Sequence, residues 1–183
     1  MGKIILVTGG ARSGKSRFAE EYAARCGQKV AYVATAEIRD EEMAERVRRH
    51  IARRPADWRT YEAPHNAHLV LREAIQSCDT VLFDCLTVYM SNILLNLPAA
   101  ADYYAAAEKN IRALLASLSA WDGRAIFVTN EVGAGIVPDN KLARDFRDMA
   151  GMANQMMGQA AAEVYLVTCG MAVDVKKLAI NFS

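Results

Sequence analysis

The 183-residue sequence predicts an α/β fold, a mostly parallel sheet flanked by helices. Three observations point to it. Short continuous runs of β-branched and apolar residues recur along the chain, as in strands covered on both faces. Longer stretches with apolar residues at helical spacing alternate with them, the order that builds a parallel sheet through right-handed crossovers. A glycine-rich turn sits where the first strand meets the first helix.

Ile4–Thr8 is the first strand. Its five-residue apolar run leads straight into glycines, so the start reads as a buried strand rather than a signal peptide or a myristoylated glycine. Ser16–Arg25 is a helix closed by Gly27, a position suited to a left-handed cap. Val30–Thr35 is the second strand. Asp40–Arg54 is expected to be helical, with Met43, Val47 and Ile51 on one stripe. Glu41 and Glu42 early and Arg53 and Arg54 late match the helix dipole, and Pro55 stops the helix.

Thr80–Asp84 is the third strand. The helix Asp102–Ser119 places Ile111, Leu114, Leu115 and Leu118 on one face, and Asp122-Gly123 turns the chain into the strand Ala125–Thr129. Lys141–Ala162 repeats the helical pattern with Leu142, Phe146, Met149, Ala153 and Met156, ahead of a last strand at Val164–Thr168. Leu97–Ala101 and the tail after Lys177 are the segments expected to be least ordered. No internal repeat or low-complexity tract divides the chain, so residues 1–183 are expected to form a single domain.

Hydrophobic residues make up 52% and charged residues 23%, a soluble globular composition. The formal net charge of +1 gives no general attraction to nucleic acid or acidic membranes. No apolar run approaches the roughly 20 residues of a membrane span. Cys26, Cys78, Cys85 and Cys169 are scattered without zinc or disulfide spacing, which points to reduced core residues and a cytoplasmic setting.

Gly9-Gly10-Ala11-Arg12-Ser13-Gly14-Lys15-Ser16 fits the P-loop pattern G-x-x-x-x-G-K-[ST], with a strand before it and a helix after it. The glycines let backbone N–H groups turn around phosphate oxygens, and the helix N-terminus adds its positive end. Lys15 is then the charge for the β- and γ-phosphates, and Ser16 a Mg²⁺ ligand. Asp84 ends an apolar strand, where it either holds Mg²⁺ through water or merely caps the next helix; Thr87 and Ser91 are further capping candidates.

Arg46, Arg48, Arg49, Arg53 and Arg54 crowd around His50. Three readings stand: a solvated helix face, an RNA-binding arm, or a nucleophilic imidazole kept neutral by nearby guanidinium charges. The RNA reading lacks interleaved aromatics and a basic balance. His65 and His68 have metal-pair spacing but follow Pro64 and Asn66, which suggests surface residues in a turn. Asn130-Glu131, followed by Gly133 and Gly135 after the fourth strand, makes a plausible substrate loop, since loops at strand carboxyl ends form the ligand crevice.

Taken together, VTGGARSGKS at Val7–Ser16, YVATAE at Tyr32–Glu37 and the arginine-histidine segment Asp40–Glu62 form a longer signature. DCLTVYMSNIL at Asp84–Leu94 and the Thr129–Gln155 segment beginning TNEVGAGIVP complete it. The chain resembles, over nearly its whole length, the bifunctional adenosylcobinamide kinase / adenosylcobinamide-phosphate guanylyltransferase family of cobalamin biosynthesis. The resemblance implies a RecA-like P-loop fold and two reactions. One is phosphorylation of adenosylcobinamide by ATP or GTP. The other is transfer of GMP from GTP, through a guanylylated histidine, to the phosphorylated corrinoid.

By matching positions the histidine is His50, and nucleotide contacts fall on Gly9, Gly10, Ala11, Arg12, Ser13, Gly14, Lys15, Ser16, Ala34, Thr35, Ala36, Ile51, Ala52, Arg53, Arg54, Glu62 and Asp84. Ser16 and Asp84 are the implied Mg²⁺ positions. A homotrimer is implied by analogy, with no nucleic-acid partner. Some members have a His-His doublet where this chain has Arg49-His50, and some have Glu in place of Asp84. Gly170–Leu178 follows the family loosely. Two other functions fit the P-loop alone: another small-molecule kinase, which leaves His50 and its arginines without a role, and a RecA-like ATPase module, which the near-neutral charge disfavours.

Overall fold

The computed structural model describes residues 2–38, 41, 44–45, 47–48, 54–98 and 100–180. Seven strands form one sheet: β1 (Lys3–Thr8), β2 (Val30–Ala34), β3 (Arg59–Glu62), β4 (Thr80–Asp84), β5 (Arg124–Val128), β6 (Glu163–Thr168) and β7 (Met171–Asp174). Their spatial order is β3-β2-β4-β5-β1-β6-β7, all parallel except β7, which pairs antiparallel with β6. The α/β expectation holds. The helices are α1 (Lys15–Cys26), α2 (Ala67–Ala74), α3 (Leu86–Leu95), α4 (Tyr103–Ser117), α5 (Lys141–Ala160) and the short α6 (Val175–Leu178).

The strand runs are continuous because alternate residues feed two cores. Ile4, Leu6, Val33, Phe83 and Phe127 pack on one face against Leu71, Leu86, Tyr89, Ile111 and Met149 from α2 to α5. Ile5, Val7, Tyr32, Leu82, Ile126 and Val128 pack on the other against Ala19 and Ala23 of α1. Both sides of the central strands are therefore dry, and polar groups that need water or a ligand collect at the strand ends.

The five strands expected from sequence match within one residue at each end, and the three long helices outside the Asp40–Arg54 stretch differ by at most two. Within that stretch Glu41, Ala44, Glu45, Val47 and Arg48 are helical, while Met43 and Ile51 lie outside the described residues.

Gly27 corrects one expectation. It does follow α1, but with φ −103° and ψ 143° it is extended rather than left-handed. Glycine is suited here by contact instead, since a Cβ would sit 2.8 Å from Thr80 and Val30 side-chain atoms. His68 also departs from its expected turn: it lies in α2, half-buried, and its Nδ1 is buried with no partner among the described residues.

Candidate functional site

β5 lies between β1 and β4, so the chain leaving β1, β4 and β5 at their carboxyl ends converges at one end of the sheet. β2 and β3 continue that row of strand ends, with Ala34 in register with both Asp84 and Glu62. A cavity of about 290 Å³ opens there. It is lined by Lys15 and Ser16 after β1, Ala34–Glu37 after β2, Glu62 and Pro64 after β3, Asp84 and Cys85 after β4, and Asn130 after β5. Ile38, Val47 and Val88 add an apolar wall, and Tyr32 and Arg54 close one side.

The glycine-rich turn is held by its neighbours. A Cβ at Gly9 would lie 2.3 Å from the Val167 carbonyl oxygen, so only glycine allows β6 this close. Gly14 has φ +97°, a left-handed conformation that glycine adopts at little cost, and it starts α1. Gly170, in the two-residue β6–β7 turn, donates its N–H to the Ser13 carbonyl at 2.9 Å. The first bond of α1 runs from Phe18 N to Gly14 O, so the Ser16 and Arg17 amides precede it at the positive end of the helix.

The Lys15 ammonium donates to the Gly10 carbonyl at 3.0 Å, folded over the turn. Ser13 Oγ is buried inside the turn without a partner among the described residues. Buried hydroxyls are ordinarily satisfied, and a phosphate oxygen suits this one. The turn thus combines a cation, a helix N-terminus and an unmatched donor.

Asp84 is not a helix cap. The N-cap of α3 is Cys85, whose sulfur accepts from Val88 N at 3.5 Å. The Asp84 carboxylate instead accepts a 2.8 Å hydrogen bond from the Tyr32 hydroxyl. The Arg54 guanidinium lies over the Tyr32 ring, 3.4 Å from its centroid, and its Nε is buried without a partner among the described residues. Burial first, then the Asp84 charge, pushes the Tyr32 phenol far above its usual range, so it stays a donor at neutral pH.

Thr35 lines the cavity and is itself buried. Its hydroxyl donates to Cys85 O at 2.8 Å and accepts from Cys85 N at 2.8 Å, locking the end of β2 to the end of β4. Asn92 of α3 bridges Thr35 O and Pro64 O at 2.8 and 3.1 Å. These contacts fix the floor on which Asp84 stands.

The structure therefore brings Lys15, Ser16, Ala34, Thr35, Ala36, Arg54, Glu62 and Asp84 together around one cavity. Gly9–Gly14 build the turn beside it. His50, Ile51, Ala52 and Arg53 lie outside the described residues. Sequence reasoning missed Tyr32, which hides inside an apolar strand run, and left Asn130 as one member of a loop. Strand register alone could have found Tyr32: β2 pairs β4 with Tyr32 opposite Leu82, two residues from Asp84. Among the described residues no three His, Cys, Asp or Glu side chains cluster as a metal cage. His65 stands 3.6 Å from Glu37, away from any such cluster.

For Mg²⁺ the donor set fits. Ser16 and Asp84 offer a hydroxyl and a carboxylate to the same cavity. Mg²⁺ needs only one or two protein oxygens when substrate phosphates and water fill the rest of its octahedron.

Comparison with known proteins adds the family. The profile described as cobinamide kinase / cobinamide phosphate guanyltransferase matches residues 5–175. The bifunctional adenosylcobalamin biosynthesis protein CobU of Salmonella typhimurium is 44% identical, covering 94% of this chain and 99% of its own. The CobU protein of Escherichia coli is 42% identical over the same shares. The CobP protein of Pseudomonas aeruginosa is 40% identical over 93% and 96%. Among solved structures, an ATPase from the type III secretion system of pathogenic bacteria superposes with a TM-score of 0.57 at 11% identity. It covers 99% of this chain and 59% of that one, and at this identity it shows the P-loop fold alone. No helix among the described residues is long and apolar enough to cross a membrane.

Proposed function

The chain belongs to the cobinamide kinase / cobinamide phosphate guanyltransferase family of bifunctional enzymes, and from that premise we propose how its residues divide the two reactions. One triphosphate site serves both. The observation that carries this reading is the single cavity shared by Lys15, Ser16, Asp84, Arg54 and Glu62.

In the kinase reaction ATP or GTP lies with its β- and γ-phosphates on the glycine-rich turn, against Lys15 and the start of α1. The hydroxyl oxygen of adenosylcobinamide bonds to the γ-phosphorus as the bridge to the β-phosphate breaks. The hydroxyl proton is released and the nucleoside diphosphate leaves. Mg²⁺, when bound with the triphosphate, neutralises charge on the β- and γ-oxygens. Ser16 would hold it directly and Asp84 through water, with Tyr32 fixing the carboxylate.

In the guanylyl reaction GTP is cut at the other end. The neutral imidazole of His50 attacks the α-phosphorus and pyrophosphate leaves. A phosphate oxygen of adenosylcobinamide phosphate then displaces the histidine, giving the GDP-linked corrinoid. Arg53 and Arg54 serve the triphosphate, and Arg54 is already held over Tyr32 beside the cavity. Glu62 stands at the end of β3 on the cavity wall, where the resemblance puts a guanine-nucleotide contact.

The same reading makes residues 1–183 one catalytic domain, a cytoplasmic enzyme with a corrinoid substrate and no nucleic-acid partner. Self-association, a homotrimer by the resemblance alone, is supported by apolar side chains exposed along the edge β7 and beyond, among them Met171, Val173, Leu178 and Ile180. Sedimentation of the purified chain tests the assembly. Incubation with α-labelled or γ-labelled GTP, followed by denaturation, tests the chemistry. The α label should stay on the protein and the γ label should not; the reverse pattern refutes the histidine route.

A further inference from the structure

We propose that the Asn130 side-chain amide contacts the terminal phosphoryl group of the triphosphate and serves the kinase reaction more than the guanylyl reaction. This rests on the shared triphosphate site proposed above.

Asn130 follows Thr129 at the carboxyl end of β5, the strand lying between the one that leads into the glycine-rich turn and the one that ends in Asp84. Val128 is in register with Val7 on one side and with Asp84 on the other. The residues just beyond β5 therefore sit between the Lys15 turn and the Asp84 carboxylate. That gap is where a phosphoryl group flanked by a lysine and a metal-holding carboxylate has to lie.

The backbone here is fixed from both sides. Asn130 N donates to Thr87 Oγ1 at 2.6 Å, and Asn130 O accepts from Asn154 Nδ2 at 3.2 Å. The same groups are chained together. Thr87 and Thr129 hydroxyls meet at 3.0 Å, and Thr129 Oγ1 donates to Asn154 Oδ1 at 2.7 Å. The next residue is tied to the turn itself, Glu131 N donating to Gly9 O at 3.1 Å. Thr87 and Thr129 are buried polar residues, one in α3 and the other just past β5, and Asn154 comes from α5. Three elements thus hold one short piece of backbone.

Asn130 lines the same cavity as Lys15, Ser16 and Asp84, and its hydrogen bonds among the described residues run through its backbone N and O, not its side-chain amide. A rigidly placed, neutral amide offers two N–H donors without adding charge. Held in place before the reaction, such a donor stabilises charge on the transferring group without reorganisation. The kinase reaction moves the γ-phosphoryl group, and the guanylyl reaction breaks the bond at the α-phosphorus, so the contact separates them.

Asn130→Ala leaves both backbone hydrogen bonds in place, and a thermal melt checks that the fold is kept. Asn130→Asp has the same shape and no N–H donor, and substitutes if the alanine variant fails to fold. At saturating GTP, kinase turnover should fall on the order of 10²-fold, and by about tenfold or more beyond any loss of GMP-adduct formation from α-labelled GTP. Equal loss of both, or full kinase turnover, overturns the proposal. A wild-type chain that takes no α label would instead refute the covalent route. The ratio of GTP to GDP affinity then decides: the variant narrows it if the amide holds the terminal phosphoryl group, and an unchanged ratio overturns the proposal.

Discussion

The Tyr32 hydroxyl donates to the Asp84 carboxylate at 2.8 Å. The same ring carries the Arg54 guanidinium on its face, so one aromatic side chain positions both an anion and a cation of the site. Tyr32→Phe keeps the platform and removes the hydrogen bond. The Mg²⁺ concentration for half-maximal kinase rate should rise about 10-fold, as for loss of an outer partner of a metal-holding carboxylate. Tyr32→Ala removes the platform too, and should raise the KM for GTP as well. A Mg²⁺ titration identical in wild type and Tyr32→Phe would show that the hydroxyl does not orient Asp84.

Asp84→Asn tests the carboxylate itself. The α3 cap is Cys85 and the β2–β4 junction is tied by Thr35, so the fold does not depend on the Asp84 charge. The variant should melt near the wild-type temperature yet need more Mg²⁺, because an amide supplies no negative charge to a hydrated cation. Lys15→Ala should reduce both activities by about 10²–10³-fold, since both need the triphosphate seated on the turn. Unchanged rates and Mg²⁺ titration would remove these residues from the mechanism.

What the sequence left illegible follows from how each element is stabilised. β3 reads Arg59-Thr60-Tyr61-Glu62, an edge strand with one buried side chain and no apolar run to announce it. α3 is apolar on most sides because it is enclosed between the sheet, α4 and α5, so no helical stripe stands out against its polar face. β7 is short and exposed, and its pairing depends on the Cys169-Gly170 turn, where both residues have positive φ. The glycine-rich turn and Asp84 were legible because their chemistry is local. Tyr32 was not, because its place beside Asp84 arises from strand register, and Asn130 was legible only as part of a crevice loop, because what holds it is the Thr87–Thr129–Asn154 chain.

Away from the cavity, Glu163 joins β6 to β1 and α1. It pairs with Lys3 at 2.5 Å and accepts from the Tyr22 and Tyr165 hydroxyls at 2.6 and 2.9 Å. Burial pushes its carboxyl up, but the hydrogen bonds from Lys3, Tyr22 and Tyr165 together prevail and hold it below its ordinary value. A depressed carboxyl stabilises the fold above its unfolded pKa, and that stabilisation is lost as pH falls through the folded one. Glu163→Gln should therefore be less stable than wild type at neutral pH, and the gap should narrow as pH falls through the carboxylate range. Chemical denaturation at a series of pH values checks this; a gap independent of pH would mean packing alone is at stake.

The decisive test of the guanylyl route is His50, beside the Arg53-Arg54 pair in sequence. On the proposed route, attack by its imidazole on the α-phosphorus of GTP would make a phosphorus–nitrogen bond, which acid cleaves and alkali spares. His50→Ala should abolish the acid-labile α label and guanylyl transfer. In the proposed kinase step Lys15 and Ser16 act on the triphosphate without a covalent histidine, so kinase activity should remain. The labelling pattern and the two rates are read on the same preparations. An adduct that survives the substitution assigns the nucleophile to another residue. Loss of both reactions together would instead make His50 a part of the shared nucleotide site rather than the group that carries GMP.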